Sequence, residues 1–269
     1  MTGFPDRAGY ALVTGGGARI GAALVRRLAA DGWAVAIHYH HSAHEAEALA
    51  NEITAGGGRA KAIGCDLSDA AALANLFPRA NATLGFCSLL VNNASAFEYD
   101  DISNIQRAHL DKLFAVNLHA PVLLARDFAK QLRDGAKGLI VNLLDQKVFN
   151  LNPDFLSYTL TKAALEAATR LLAQAMGPQV RVCGIAPGLT LKSGEQTEEG
   201  FEAAHAKTPL GFGSAPEDIA ETLAFLVRVP AITGHTVIVD GGQHLQPRTR
   251  DVMFSYGIAS GAPVGGKTD

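Results

Sequence analysis

The stretch Tyr10-Ala11-Leu12-Val13-Thr14-Gly15-Gly16-Gly17-Ala18-Arg19-Ile20-Gly21 decides how this chain is read. An apolar run of strand length gives way to a glycine-rich turn. An amphipathic helical pattern then continues from Ile20 to Ala30. Glycines at such a place permit a tight turn and let backbone N–H groups approach a pyrophosphate at a helix N-terminus. The strand before and the helix after carry more weight than the number of glycines.

Outward from this stretch the same alternation repeats. Ala34–Tyr39, Arg59–Cys65, Cys87–Val91, Leu139–Leu143, Val180–Ile185 and Thr236–Val239 read as further strands. Helical patterns separate them, among them Ala43–Ala55, closed by Gly56-Gly57-Gly58, and a short one over Asp69–Leu76. Apolar strands alternating with helices imply a parallel sheet covered on both faces. The expectation is an α/β, Rossmann-type doubly wound fold in one domain over 1–269, with a core at about 8–245. A segment at about 190–215 has no strand pattern and reads as a substrate lid. A tail at 246–269 ends in small residues, with a mobile end expected from Gly257 onward.

Bulk composition narrows the class. A net charge of -3 gives no electrostatic footprint for nucleic acid or an anionic membrane. No apolar stretch reaches the ~18 residues of a spanning helix, and the first residues carry no secretory pattern. Cys65, Cys87 and Cys183 form no metal-ligand spacing and read as buried thiols of a reducing compartment. A cytoplasmic enzyme without a metal is expected.

The second strand ends in His38-Tyr39-His40-His41-Ser42, where an NAD site would place a carboxylate for the adenosine ribose. Imidazoles, a hydroxyl and nearby Arg19 instead suit a 2′-phosphate, so NADP(H) is the expected cofactor. Its affinity should weaken as pH rises above about 7, where histidine loses charge. Asp66 and Leu67 follow the third strand, placed to meet the adenine. Asn93, Ala94 and Ser95 follow the fourth and would line the nucleotide groove.

The chemistry is expected at Tyr158 and Lys162, four apart and so on one helix face. Asp145 precedes that pair at a strand end, and Pro187-Gly188-Leu189 turns the chain near the nicotinamide. Together the glycine loop, Asn92-Asn93-Ala94, Asn117, Tyr158-x-x-x-Lys162 and Pro187-Gly188 resemble the short-chain dehydrogenase/reductase family over roughly 8–245. The resemblance implies a seven-stranded parallel sheet, a Tyr–Lys catalytic pair and a homotetramer.

Two positions depart from the common pattern: Arg19 replaces the middle glycine of the loop, and Asp145 replaces the catalytic serine. Both are similar to the pteridine reductase branch, which includes bacterial dihydromonapterin reductases with dihydrofolate reductase activity. That branch implies NADPH-dependent reduction of a dihydropteridine, with Phe97 stacking on the ring and Arg19 and Ser95 beside it. Elementary electrostatics agrees, because a carboxylate opposes the alkoxide of ketone reduction but can serve a ring nitrogen that gains a proton.

Asp145 is then expected to relay a proton or to orient the ring, and Tyr158 to donate directly or through water. Lys162 is expected to lower the phenol pKa and hold the nicotinamide ribose, and Asn117 to stabilise a helix distortion that orders a water. A carbonyl or 3-oxoacyl reductase and a non-catalytic NADP-binding sensor stand as alternatives. Arg248 or Arg250 reaching a neighbouring subunit's site is a further expectation.

Overall fold

The computed structural model describes residues 5–192 and 197–255. Among them, seven strands form one all-parallel sheet in the order β3-β2-β1-β4-β5-β6-β7. The strands are β1 Tyr10–Val13, β2 Val35–Tyr39, β3 Ala60–Gly64, β4 Cys87–Asn92, β5 Gly138–Leu143, β6 Val180–Pro187 and β7 Thr236–Val239. The order reverses between β1 and β4, which makes their carboxyl ends the topological switch point where open α/β sheets bind ligands.

Successive side chains of a strand point to opposite faces, and β1 shows the consequence. Tyr10 and Leu12 pack on one face with Phe77, Leu90, Leu124 and Phe128. Ala11 and Val13 pack on the other with Leu24, Val25, Leu28, Ile219 and Leu223. Helices α1 (Arg19–Ala30), α2 (Ala43–Ala55) and α9 (Pro216–Arg228) supply the second face. The first is covered by α3 (Ala70–Ala74), α4 (Leu76–Leu84), α6 (Ala120–Gln131) and α7 (Leu156–Met176). The remaining helices are α5 (Arg107–Phe114), α8 (Glu198–Ala206) and α10 (Val252–Ser255). No described helix is long and apolar enough to cross a membrane.

One reading of the sequence needs correction. The helix expected over Asp69–Leu76 is two helices, α3 and α4, with Asp69 capping α3 through Ala71 N and Ala72 N. Pro78 hid α4, although a proline is tolerated in a first turn, where its missing N–H has no partner to lose. The segment at 190–215 contains a helix, α8, capped by Thr197. Thr190 Oγ1 meets Ser214 Oγ at 2.8 Å, pinning the two ends of that segment together. Its residues 193–196, and the tail from Gly257 that was expected to be mobile, lie outside the described residues.

Candidate active site

The carboxyl ends of the strands open into one cleft of about 810 Å³. Its nucleotide end is built by the β1 turn. Gly15 takes a φ of 61°, and a Cβ on Gly21 would lie 2.0 Å from Gly15 O, so the turn closes only on glycine. Thr14 Oγ1 accepts from Asn93 N and Ala94 N, each at 3.0 Å. Asn93 Nδ2 donates back to Thr14 O at 2.9 Å and Gly15 O at 3.0 Å. The Asn93 side chain thus braces the turn, and only its main chain remains to face a nucleotide.

His38 corrects the sequence reading. Gly15 N donates to its Nδ1 at 3.1 Å, and its Nε2 bonds Cys65 O at 2.9 Å as donor. Both ring nitrogens are committed, the side chain is buried, and that burial pushes its pKa down to about 4. His38 is therefore a neutral brace between β1 and β3 and offers no charge to a phosphate. His40 and His41 are exposed on the cleft wall with ring centroids 3.7 Å apart. Asp66 accepts from Ser68 N and Ser68 Oγ, which hold its pKa below the usual carboxylate range. Arg19 adopts a φ of 53° and donates to Lys192 O at 3.0 Å, bridging to the segment after β6.

The glycine cradle and the absence of a carboxylate at the β2 end fit NADP(H). With both nitrogens of His38 committed, His40 and His41 are the imidazoles on this wall left to meet a 2′-phosphate. The variant His40→Ala/His41→Ala should weaken NADPH binding about tenfold in a fluorescence titration, the scale of one or two lost hydrogen bonds. An unchanged affinity would remove both histidines from the phosphate site.

At the chemical end, β5 delivers Asp145. Its Oδ1 accepts from Lys147 N at 2.8 Å, which caps a tight turn over Gln146–Phe149. Its Oδ2 accepts from Tyr158 Oη at 2.9 Å. Enclosure raises the Asp145 pKa, while these two hydrogen bonds and Lys162 oppose the rise. Tyr158 and Lys162 are both buried on α7. Lys162 Nζ donates to Leu143 O at 2.8 Å and lies 5.6 Å from the Tyr158 ring.

The phenol differs from expectation. Burial, then the charge of Asp145 and the hydrogen bond to it, hold the Tyr158 pKa well above its ordinary value. Burial also lowers Lys162 to about 8, which leaves it charged at neutral pH. A nearby ammonium alone would favour phenolate. A closer carboxylate that accepts the hydroxyl proton outweighs it.

The start of α7 is fixed from a distance. Phe155 takes a left-handed φ of 52°, and Asp100 caps the helix by accepting from Leu156 N through its carbonyl and from Ser157 N through Oδ1. Ser157 Oγ also donates to the Asp100 carboxylate, which is itself buried. One residue later stands Tyr158.

Asn117 sits in a widened turn, Ala115–His119, so the expected helix distortion is present. Its side chain is taken up by neighbouring segments. Oδ1 accepts from Ala96 N at 2.7 Å and Nδ2 donates to Ala96 O and Thr161 Oγ1, locking the loop after β4 to α7. The loop carries Phe97, which is 42% exposed. Phe97 stacks on Phe155 at 4.4 Å and meets the Tyr158 ring edge-on at 4.7 Å.

Every residue expected to hold cofactor or substrate lines this cleft, from Gly15, Arg19 and Ile20 through Phe97 and Asp145 to Leu189; Asn117 does not. Sequence reasoning missed Asp100, Lys147 and the cleft-lining Asp251–Met253. Only Lys147 carried a signal, two residues past Asp145. Arg250 Nε bonds both Asp154 oxygens, at 3.0 and 2.8 Å, within its own chain.

Fold and site define an NADP-dependent oxidoreductase, and the chain belongs to the short-chain dehydrogenase/reductase family. A family model described as enoyl-(acyl carrier protein) reductase matches residues 17–244. Among solved structures, the chain is similar to FolM alternative dihydrofolate reductase 1 from Brucella canis, complexed with NADP. Identity is 44% with a TM-score of 0.88, covering 91% of this chain and 97% of that one. The Brucella suis protein of the same name, also with NADP, gives 44% and 0.87 over 90% and 98%. Pteridine reductase 1 of Leishmania tarentolae is 32% identical over 91% of this chain and 99% of its own.

Proposed function

We propose that this enzyme reduces the C=N bond of a dihydropteridine ring, of the dihydromonapterin, dihydrobiopterin or dihydrofolate class, to the tetrahydro form. The observation that carries the reading is the 2.9 Å hydrogen bond from Tyr158 Oη to Asp145 Oδ2. A carboxylate at that point suits a substrate that presents ring N–H donors and takes a proton on nitrogen. The similarity to dihydrofolate and pteridine reductases supports the same class. On this reading the enzyme is cytoplasmic and homotetrameric, as composition and family resemblance imply.

Bound NADPH supplies the hydride from its nicotinamide. The chain supplies position, field and proton. Phe97 is braced on one side by Phe155 and leaves its exposed side for a flat heterocycle. Tyr158, Asp145 and charged Lys162 form a unit in which a neutral phenol is bonded to an acid of raised pKa. With Asp145 protonated, the pair holds two protons: one passes to the ring nitrogen, the other stays shared between the two oxygens, and Lys162 offsets the single negative charge left behind.

The test is NADPH oxidation followed at about 340 nm with dihydrobiopterin, dihydrofolate and an acetoacetyl thioester. Turnover of the two pteridines with little on the thioester is expected. Turnover of the thioester alone would assign a carbonyl reductase, and binding without turnover a sensor. Phe97→Ala should raise KM for the pteridine about tenfold, in line with ~1–3 kcal/mol for base–aromatic stacking, and leave KM for NADPH unchanged. An antifolate such as methotrexate should compete with the pteridine. An unaltered pteridine KM in Phe97→Ala would place the ring elsewhere.

A further inference from the structure

The segment after β7 supplies a wall of the cleft that ring reduction, as described, leaves unused. Asp251, Val252 and Met253 line the same cavity as Asp145 and Tyr158. Met253 packs with Phe155 and Tyr158 in one small apolar cluster. Two ion pairs fasten this wall. Arg250 binds Asp154, whose Oδ2 also accepts from Asp251 N at 2.7 Å. Asp251 Oδ2 lies 2.7 Å from Lys147 Nζ.

The second pair is unusual in its burial. The Lys147 side chain is 3% exposed, and its ammonium also donates to Asn152 Oδ1. A buried ion pair is a poor device for stability, since well-packed apolar residues of similar volume often serve as well or better. Its place is more telling. The main-chain N–H of Lys147 donates to Asp145 Oδ1, while its side chain reaches Asp251. One residue therefore links the acid of the site to the C-terminal wall.

We propose that Lys147 and Asp251 are positioning residues that set the protonation of Asp145, their ion pair fastening the C-terminal wall to the turn that presents the acid. The proposal rests on Asp145 being the acid that serves the ring nitrogen. Four groups bear on it: Tyr158 and Lys162 from α7, Lys147 from its own turn and Asp251 from the C-terminal wall. The Asp154–Arg250 pair lies behind that wall. The charge of Asp251 pushes both Asp145 and Tyr158 upward, in the direction that keeps protons on the pair. Lys147 balances Asp251, so the two ends of the ion pair act on Asp145 with opposite sign.

That opposition gives a test which a merely structural role would not pass. Asp251→Asn removes a negative charge and leaves a buried cation beside the turn. Lys147→Met does the reverse. The ionisation of Asp145 is read directly by carboxyl ¹³C NMR, its signal assigned by loss in Asp145→Asn. The alkaline limb of kcat gives a second reading. Asp251→Asn should move both to lower pH and Lys147→Met to higher pH, each by about one pH unit. Lys147→Met/Asp251→Leu should return them to within about half a unit of the native chain.

Displacement in the same direction, or none, overturns the proposal. Should Lys147→Met not fold, the near-isosteric Asp251→Asn and the apolar double variant decide the matter. A native chain inactive on dihydropteridines, with opposite NMR displacements intact, would sink the substrate reading and leave the role of the pair standing.

Discussion

Tyr158→Phe is expected to lower kcat for a dihydropteridine by about two to four orders of magnitude, the range for a positioned proton donor. The loss should depend on pH. Removing the hydroxyl takes away a hydrogen bond that lowers the Asp145 pKa, so the acid becomes still easier to protonate. If Asp145 can hand its own proton to the ring, part of the rate returns as pH falls. If the phenol is the sole donor, the loss is the same at every pH. Stopped-flow NADPH oxidation over pH 5 to 9 separates these outcomes, and a loss under tenfold throughout would take Tyr158 out of the chemistry.

Asp145→Ser carries the second large effect. Pteridine reduction should fall about 10²- to 10³-fold, the scale for losing one group aimed at a transition-state charge. The dissociation constant for NADPH should stay within about threefold, because among the described residues Asp145 bonds Tyr158 and the turn after β5. A serine there restores a neutral donor suited to an alkoxide, so turnover of a ketone should hold or rise. The reverse pattern, weakened NADPH with pteridine chemistry preserved, would make Asp145 a structural cap of its turn.

Much of this arrangement could be read from local sequence, for a physical reason. Strands buried on both faces are apolar runs, and the glycine turn between β1 and α1 is dictated by backbone geometry that only a few residues allow. The nucleotide loop, Asp145, Tyr158 and Lys162 were therefore legible, as was NADP(H) from the missing carboxylate after β2. What stayed hidden depends on contacts between distant segments. Nothing near His38 reveals that its two nitrogens will be spent on Gly15 and Cys65. Asn117 was legible as the seat of a helix distortion, but not that its side chain would be spent on Ala96 and Thr161. The C-terminal wall, with Asp251 on Lys147, has no periodicity to announce it, since it is held by two ion pairs and a few aromatic contacts. The phenol pKa went the wrong way because Lys162 was visible as a charge but the depth of burial was not.

A crystal structure of the complex with NADP and a dihydropteridine tests the central claim most directly. The account predicts the ring on the exposed face of Phe97, with an Asp145 carboxyl oxygen and Tyr158 Oη both within hydrogen-bond distance of ring nitrogens. A ring bound with Asp145 out of contact, its oxygens still turned only to Lys147 N and Tyr158, would contradict it.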